Sequence, residues 1–123
     1  MDLIQVIKSL GDETRMRILN ILKDGELCVC EIEVLLEINQ SNASRHLNKL
    51  TNAKILDYYK VAKYVYYKLN ENTTKEYEFI KEIIEKYALE SKDCQNDYKR
   101  LNKYRDSGLN CDELKEGKLI FDK

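Results

Sequence analysis

The feature that most constrains the fold is the near absence of residues that break helices. The 123 residues include no proline and only four glycines, a composition that favours a mostly helical chain. Asp12 is suited to capping the second helix, and Gly11 and Gly25 to ending the first two. Apolar residues follow helical spacing within residues 3–10, 16–22, 32–36 and 43–50.

The period of the apolar residues changes after Lys54. Residues 55–60 and 64–69 are rich in tyrosine and β-branched residues, which predicts a β-hairpin turning near residues 61–63. Thr73 or Thr74 can then cap a long helix that bends near residues 91–93 and ends at Gly108. The last residues resemble a mobile acidic tail.

The order of elements predicts a mainly α fold with a small β-hairpin wing, α-α-α-α-β-β-α. Two helices joined by a short polar turn at residues 39–42 and followed by a hairpin are typical of the winged helix-turn-helix. We divide the chain into residues 1–92, which form the DNA-binding and dimerisation domain, and residues 93–123, which form a C-terminal helix extension and tail.

The distribution of charge favours nucleic-acid binding more than the net charge of −1 does. Residues 41–68 contain six basic side chains and one acidic side chain, Asp57. Local patches of positive charge, rather than net charge, attract phosphate groups. A solvated charged face with no partner is the simpler alternative for such a stretch.

The four cysteines are interpreted from the compartment that the sequence predicts. The chain has no apolar run of about 20 residues, which excludes an obvious membrane helix, and its acidic N-terminus lacks the pattern of a secretion signal. We therefore expect a cytoplasmic protein with reduced thiols, in which cysteines serve as metal ligands or redox groups rather than as structural disulfides.

Three motifs occur in order over roughly residues 3–70. Residues 9–19 (SLGDETRMRIL), 26–32 (ELCVCEI) and 40–50 (QSNASRHLNKL) resemble the opening, the metal-binding box and the recognition helix of the ArsR/SmtB family of metal-responsive repressors. The resemblance implies a homodimeric winged helix whose first and last long helices form the dimer interface. It also implies a repressor that leaves its operator when an inducer binds.

The fourth helix and the hairpin are the expected DNA-binding surfaces. Short polar side chains and Arg45 at the start of that helix can contact phosphates or base edges in the major groove, whereas the hairpin would clamp the backbone. A dimer would bind a pseudo-palindromic double-stranded operator. His46, the single histidine, would pack or touch a phosphate. The candidate contacts are Ser41, Asn42, Ser44, Arg45, His46, Lys49, Lys60, Lys63 and Tyr64.

Cys28 and Cys30 are the candidate inducer site. Residues i and i+2 of a regular helix point about 200° apart, so ion binding by this pair is expected to distort the start of the third helix and move the recognition helix. Thiolates select soft centres. The expected inducers are As(III) and Sb(III), with Cd(II), Pb(II) or Zn(II) as alternatives, and no cofactor is obligatory.

The third thiolate ligand is open between Cys94 and Cys111. The resemblance implies a third cysteine ligand at position 33, where arsenic-sensing relatives carry a cysteine and this chain has Glu33. The family's other zinc site requires two histidines on the last helix, and none follows His46. The cadmium and lead sensors use cysteines from an N-terminal extension, and no cysteine precedes Cys28.

Three other functions compete with the metalloid repressor. A thiol redox switch would use Cys94 and Cys111 as partners. An enzyme such as a dithiol reductase is not expected, because the sequence lacks a Cys-X-X-Cys motif and a phosphate-binding glycine loop. A module that only dimerises would leave the basic residues unexplained. We expect no membrane association and no protein partner other than a second copy.

Overall fold

The computed structural model describes residues 2–121, which form a winged helix-turn-helix with eight helices and three strands. The helices are α1 Leu3–Leu10, α2 Glu13–Leu22, α3 Val29–Leu36, α4 Gln40–Asn52, α5 Glu71–Glu76, α6 Phe79–Glu90, α7 Lys92–Ser107 and α8 Cys111–Lys115. The strands are β1 Leu27–Cys28, β2 Leu56–Val61 and β3 Tyr64–Leu69. The predicted fold class is confirmed.

Side-chain caps define where the DNA-binding helices begin. The Asp12 carboxylate accepts a hydrogen bond from the backbone N–H of Arg15 at 3.0 Å, as predicted for the start of α2. Asn39 caps α4 by accepting from the N–H of Asn42 at 2.8 Å. Each cap satisfies a backbone donor that a helix leaves unpaired, which fixes the first turn of the helix.

The wing is a three-stranded antiparallel sheet in the order β1-β3-β2. The hairpin of β2 and β3 turns at Ala62, whose φ of 53° lies in the left-handed region, close to the predicted position. The short strand β1 was not predicted. It pairs Leu27 with Tyr67 and Cys28 with Tyr66, and so fixes the cysteine motif to the base of the wing.

The C-terminal helical region is broken into four helices rather than continuous. Asn70, not Thr73 or Thr74, caps the first of them, since its side chain accepts from the N–H of Thr73 at 3.1 Å. The expected bend occurs at Ser91, which separates α6 from α7 and caps α7. Gly108 ends α7 with a φ of 72°, as predicted.

The sequence analysis assigns the residues of α8 to the tail and does not predict this helix. Its side chains Cys111 and Leu114 are buried. The division of the chain at residue 92 and the mobility of the remaining tail stay predictions.

One apolar core joins the helices to the base of the wing. The fully buried side chains of Ile18 and Leu19 from α2, Leu35 from α3 and Leu47 from α4 lie in a single cluster with Leu101 from α7. Burying such side chains is the main favourable contribution to folding. The recognition helix is therefore held rigidly against α2 and α3. Within residues 2–121, none of the helices has the length and apolar character needed to cross a membrane.

Candidate metal centre and nucleic-acid interface

Three cysteine sulfurs meet at the junction of β1, α3 and α8. The Sγ atom of Cys28 lies 3.0 Å from that of Cys30 and 3.0 Å from that of Cys111. Cys30 and Cys111 are joined as a disulfide, with their Cα atoms 6.4 Å apart, whereas the sequence analysis expected reduced thiols. In the described part of the chain, this is the one group of three or more potential ligand atoms that lie within 4.8 Å of one another.

The backbone at Cys28 explains how two cysteines so close in sequence face the same side. Cys28 precedes the first helical turn in an extended conformation, with φ of −83° and ψ of 163°, and Cys30 lies inside α3. The 200° separation expected within a helix therefore does not apply. The distortion predicted for the start of the third helix is not needed to bring the two sulfurs together, because α3 begins at Val29 with its hydrogen bonds formed.

Cys94 lies away from this cluster. It is buried at the start of α7, where its backbone carbonyl accepts a hydrogen bond from the side chain of Asn20 at 3.1 Å. Of the two candidates for a third ligand, the fold brings Cys111 to Cys28 and Cys30 and keeps Cys94 apart from them.

The surroundings of Cys28 favour its neutral thiol over the thiolate. Burial raises the pKa of Cys28 to about 12, because an apolar environment disfavours the charged form. Glu31 accepts a hydrogen bond from the backbone N–H of Cys28 at 2.8 Å and another from the hydroxyl of Tyr104 at 2.5 Å. Burial and this second hydrogen bond raise the pKa of Tyr104. Any ion that binds here must displace a proton from Cys28.

A cavity of about 420 Å³ connects the thiols with the predicted DNA-binding surfaces. Cys28, Cys30 and Glu33 line one side of it, and Gln40 and Ser44 at the start of α4 line another. Lys63 and Tyr64 of the wing and Asp112 and Lys115 of α8 also line it. The thiols and the recognition helix thus face the same space.

The predicted DNA contacts on α4 are mostly accessible. Ser41, Arg45 and Lys49 are exposed, and Asn42 and Ser44 are partly exposed. The Arg45 guanidinium donates to the Asn42 side chain at 2.6 Å, which holds both groups at the start of α4.

The wing residues differ in what they contact. Lys60 and Lys63 are exposed. The hydroxyl of Tyr64 donates to Asp112 at 2.7 Å, and the same carboxylate lies 3.6 Å from Nζ of Lys63. Tyr58 and Tyr59 pack against Tyr67 and Tyr66 across the hairpin.

His46 is the one predicted DNA contact that is buried. Only 3% of its surface is exposed, and its Nδ1 atom lies 3.2 Å from a guanidinium nitrogen of Arg15 on α2. Burial lowers its pKa, although Asp12 opposes that shift, and the cations Arg45, Arg15 and Lys49 lower the pKa further. These contacts match the packing role considered for it rather than the phosphate contact.

The sequence analysis missed two acidic residues next to the cysteines. Glu31 lies three positions after Cys28, which is the spacing of a capping box, and that signal could have identified it. Asp112 follows a cysteine near the end of the chain, and no sequence signal links it to the wing. Both carboxylates connect the thiol cluster to other elements.

The fold and the exposed basic surface define a DNA-binding winged helix-turn-helix regulator. Residues 12–58 match the model of a protein family described as "Bacterial regulatory protein, arsR family". A "Cadmium resistance transcriptional regulatory protein CadC homolog" from Staphylococcus aureus is 38% identical over 94 residues, which cover 76% of this chain and 73% of that protein. The chain therefore belongs to the ArsR family of transcriptional regulators, and the resemblance stated from its motifs is confirmed.

Two further relatives show how far the likeness extends. The "Arsenic resistance transcriptional regulator ArsR1" of Pseudomonas putida is 47% identical over 66 residues, so the match spans about half of each protein, 53% of this chain and 52% of the relative. The structure "Reduced HlyU from Vibrio cholerae N16961" is 32% identical with a TM-score of 0.58, over 69% of this chain and 83% of that one.

Proposed function

We propose that this protein is a homodimeric repressor that leaves its operator when trivalent arsenic or antimony binds the thiolates of Cys28, Cys30 and Cys111. Operator DNA would contact α4 and the wing in the cytoplasm of a bacterial cell. The family supports the coarser function of a transcriptional repressor, and the finer identity of the inducer rests on the site.

The convergence of three cysteine sulfurs carries the proposal. Trivalent arsenic and antimony are soft centres that prefer thiolates, and each forms three bonds while keeping a lone pair. Three sulfurs from one chain match that requirement without a nitrogen or oxygen ligand. The contacts of 3.0 Å made by Cys28 bring the three sulfurs together. A cytoplasmic thiol reductant would first reduce the disulfide between Cys30 and Cys111 to the two further thiols that the site requires.

The position of the site explains how it can affect DNA binding. Cys30 lies on α3, and α3 packs against α4 in the shared core. The cavity beside the thiols is also lined by Gln40 and Ser44 of α4. A change at the thiols is therefore transmitted over a short, packed path to the residues proposed to read DNA.

An exposed apolar face supports the homodimer. Leu3, Ile4 and Ile7 lie within two turns of α1 and are 44%, 57% and 49% exposed. A clustered apolar surface of this kind marks an interaction site more often than an isolated exposed side chain does. A second copy of the chain would cover this face and present two α4 helices to a symmetric operator.

The test measures release of the protein from its own promoter DNA. Release is monitored by fluorescence anisotropy under reducing conditions. Arsenite, antimonite and the Cd, Pb and Zn ions are titrated separately. The proteins compared are the wild type and the single variants Cys28→Ser, Cys30→Ser, Cys111→Ser and Cys94→Ser. The last of these is the matched control, because it removes a buried thiol that lies outside the cluster.

We expect arsenite or antimonite to release the wild type and Cys94→Ser at similar concentrations. Each of the three cluster variants should resist release, since two thiolates cannot complete the site. If Cys94→Ser resists release and Cys111→Ser responds normally, Cys94 is the third ligand and the proposed site is wrong.

A repressor that responds to cadmium, lead or zinc is the second candidate. It is favoured by the relative whose name describes cadmium resistance. In the same titration, release by one of these ions and not by arsenite or antimonite would replace the first candidate.

A redox switch is the third candidate. It is favoured by the positions of Cys30 and Cys111, whose Cα atoms lie 6.4 Å apart, within the range that a disulfide spans. The two thiols would lose two electrons and two protons to hydrogen peroxide, which would be reduced to two molecules of water. If peroxide but none of the ions weakens DNA binding, and Cys111→Ser prevents the effect, this candidate replaces the metalloid sensor.

A further inference from the structure

The short helix α8 connects the thiol cluster to the tip of the wing through two consecutive residues. Its first residue, Cys111, contacts Cys28 and Cys30. The next residue, Asp112, accepts a hydrogen bond from the hydroxyl of Tyr64 at 2.7 Å and lies 3.6 Å from Nζ of Lys63. One turn of helix therefore contacts both the proposed inducer site and the wing.

The wing groups that Asp112 contacts are those expected to contact DNA. Lys63 follows the turn residue Ala62, and Tyr64 begins β3. A carboxylate presents negatively charged oxygens to a lysine much as a phosphate does. A carboxylate beside Lys63 offsets the positive charge that attracts a DNA phosphate, so Asp112 competes with the DNA backbone for this ammonium group.

Two flanking glycines and two buried side chains define how α8 is attached. Gly108 and Gly117 flank it, and both have positive φ values, 72° and 80°. Between them, Asn110 caps the helix, and Leu114 is buried. Beyond this apolar contact, α8 is held to α3 by Cys111, so coordination of the Cys111 sulfur would decide how firmly α8 is docked.

We infer that α8 is an autoinhibitory latch, in which ion binding to Cys111 docks α8 and Asp112 then holds Lys63 and Tyr64 away from the DNA backbone. The inference rests on the proposed function for the identity of the ion. In the latch, the effect of the inducer on DNA binding is transmitted through α8 and not through the distortion of α3 that the sequence analysis expected. In the ion-free, reduced protein α8 undocks and the wing lysine becomes available to phosphate.

The latch makes a quantitative prediction for the salt dependence of DNA binding. Each phosphate contact contributes about 0.9 to the slope of log affinity against log salt. A dimer has two Lys63 side chains, so docking of both α8 helices should reduce the magnitude of the slope by about 2. Loss of contacts on α4 alone would leave the contribution of Lys63 in place.

The test compares the wild-type chain with Asp112→Asn, which removes the charge and keeps the side-chain shape. Glu116→Gln is the matched control, because it makes the same change in charge at the end of α8 but faces Lys118 at 3.5 Å rather than the wing. Anisotropy on promoter DNA is measured over a series of salt concentrations with and without arsenite, and free thiols are counted in each sample.

A second arm docks α8 without any ion. Dibromobimane bridges the reduced pair Cys30 and Cys111 when each thiol loses its proton to solvent and the resulting thiolate displaces one bromide, so that two C–S bonds form, two C–Br bonds break, and two bromide ions and two protons are released. The bridge is made in a Cys28→Ser, Cys94→Ser background so that only this pair reacts. Asp112→Asn and Glu116→Gln are then added separately to this background.

We expect arsenite, and separately the bridge, to reduce the slope by about 2 in the wild-type or background protein and with Glu116→Gln. In both arms, Asp112→Asn should keep the salt slope of the untreated protein and bind promoter DNA at least tenfold more tightly than the treated proteins that retain Asp112. Its thiols should still be consumed. Equal loss of affinity with Asp112→Asn and Glu116→Gln in the bridged arm would overturn the latch. If arsenite leaves all thiols free, the inducer assignment fails, and the bridged arm still decides the latch.

Discussion

Asp97 is predicted to be the acidic residue on which the position of the C-terminal helices depends most. Its carboxylate is fully buried and accepts two hydrogen bonds from Arg17 at 2.8 Å and one from Arg100 at 2.5 Å. The two arginines also donate to the backbone carbonyls of Leu36 and Leu35 at the end of α3. One carboxylate thus joins α7 to α2 and, through the arginines, to α3.

The size of the effect follows from the burial of the three charges. Removing one partner of a buried ion pair typically destabilises a protein by about 3–5 kcal/mol, because the remaining charge is left without compensation. The side chains of Arg17 and Arg100 are 17% and 12% exposed, so water partly compensates them. The carboxylate of Glu37, 3.2 Å from Arg100, also compensates that arginine. We therefore expect Asp97→Asn to lower the free energy of unfolding by about 3 kcal/mol, the lower end of that range.

Urea unfolding followed by circular dichroism measures this difference. All proteins are compared at one protomer concentration, since the stability of a dimer depends on concentration. Asp106→Asn is the control, because it removes the same charge from an exposed position on α7. It should change stability by less than about 0.5 kcal/mol. A loss of about 1 kcal/mol or less for Asp97→Asn would match a surface ion pair and refute the reasoning.

Three further predictions concern single side chains. His46→Gln should make the free energy of unfolding less dependent on pH below about pH 6.5. Burial lowers the pKa of His46 in the folded wild type, so its unfolded state binds more protons at this histidine and the wild-type fold loses stability as the pH falls. Ile7→Lys should raise the dimer dissociation constant in sedimentation experiments, since it charges an apolar face that is 49% exposed at this residue. Tyr104→Phe should weaken arsenite binding by about 10–100-fold in isothermal titration, the usual effect of losing a group that orients a ligand; unchanged affinity would mean that Glu31 holds Cys28 without this hydrogen bond.

The parts of the fold that depend on local sequence could be predicted. The N-cap at Asp12, the break at Ser91 and the end of α7 at Gly108 all follow from residues within one turn of the feature. The hairpin was recognisable because its two strands are adjacent and share a composition. The strand β1 could not be predicted, since two residues carry no periodicity and its pairing depends on Tyr66 and Tyr67, far along the chain.

The thiol site was half predictable for the same reason. Cys28 and Cys30 form a motif within three residues, but the geometry assumed for them was helical, and the extended backbone of Cys28 is imposed by its pairing with Tyr66. Their proximity is thus a result of the sheet and not of the motif alone. The third sulfur contacts Cys28 across a separation of 83 residues, which no local pattern encodes.

The length of α7 explains why Cys111 rather than Cys94 reaches the cluster. Both Cys94 and Tyr104 are buried on α7, and their separation of ten positions corresponds to about 15 Å along the helix axis. Tyr104 is the α7 residue that touches Glu31 beside the thiols. Cys94 is therefore about three turns too far away, whereas the chain reverses at Gly108 and returns Cys111 to the same end. The tertiary position of α7 therefore determines which of the two cysteines joins the cluster, and this position cannot be predicted from the spacing of the cysteines in the sequence.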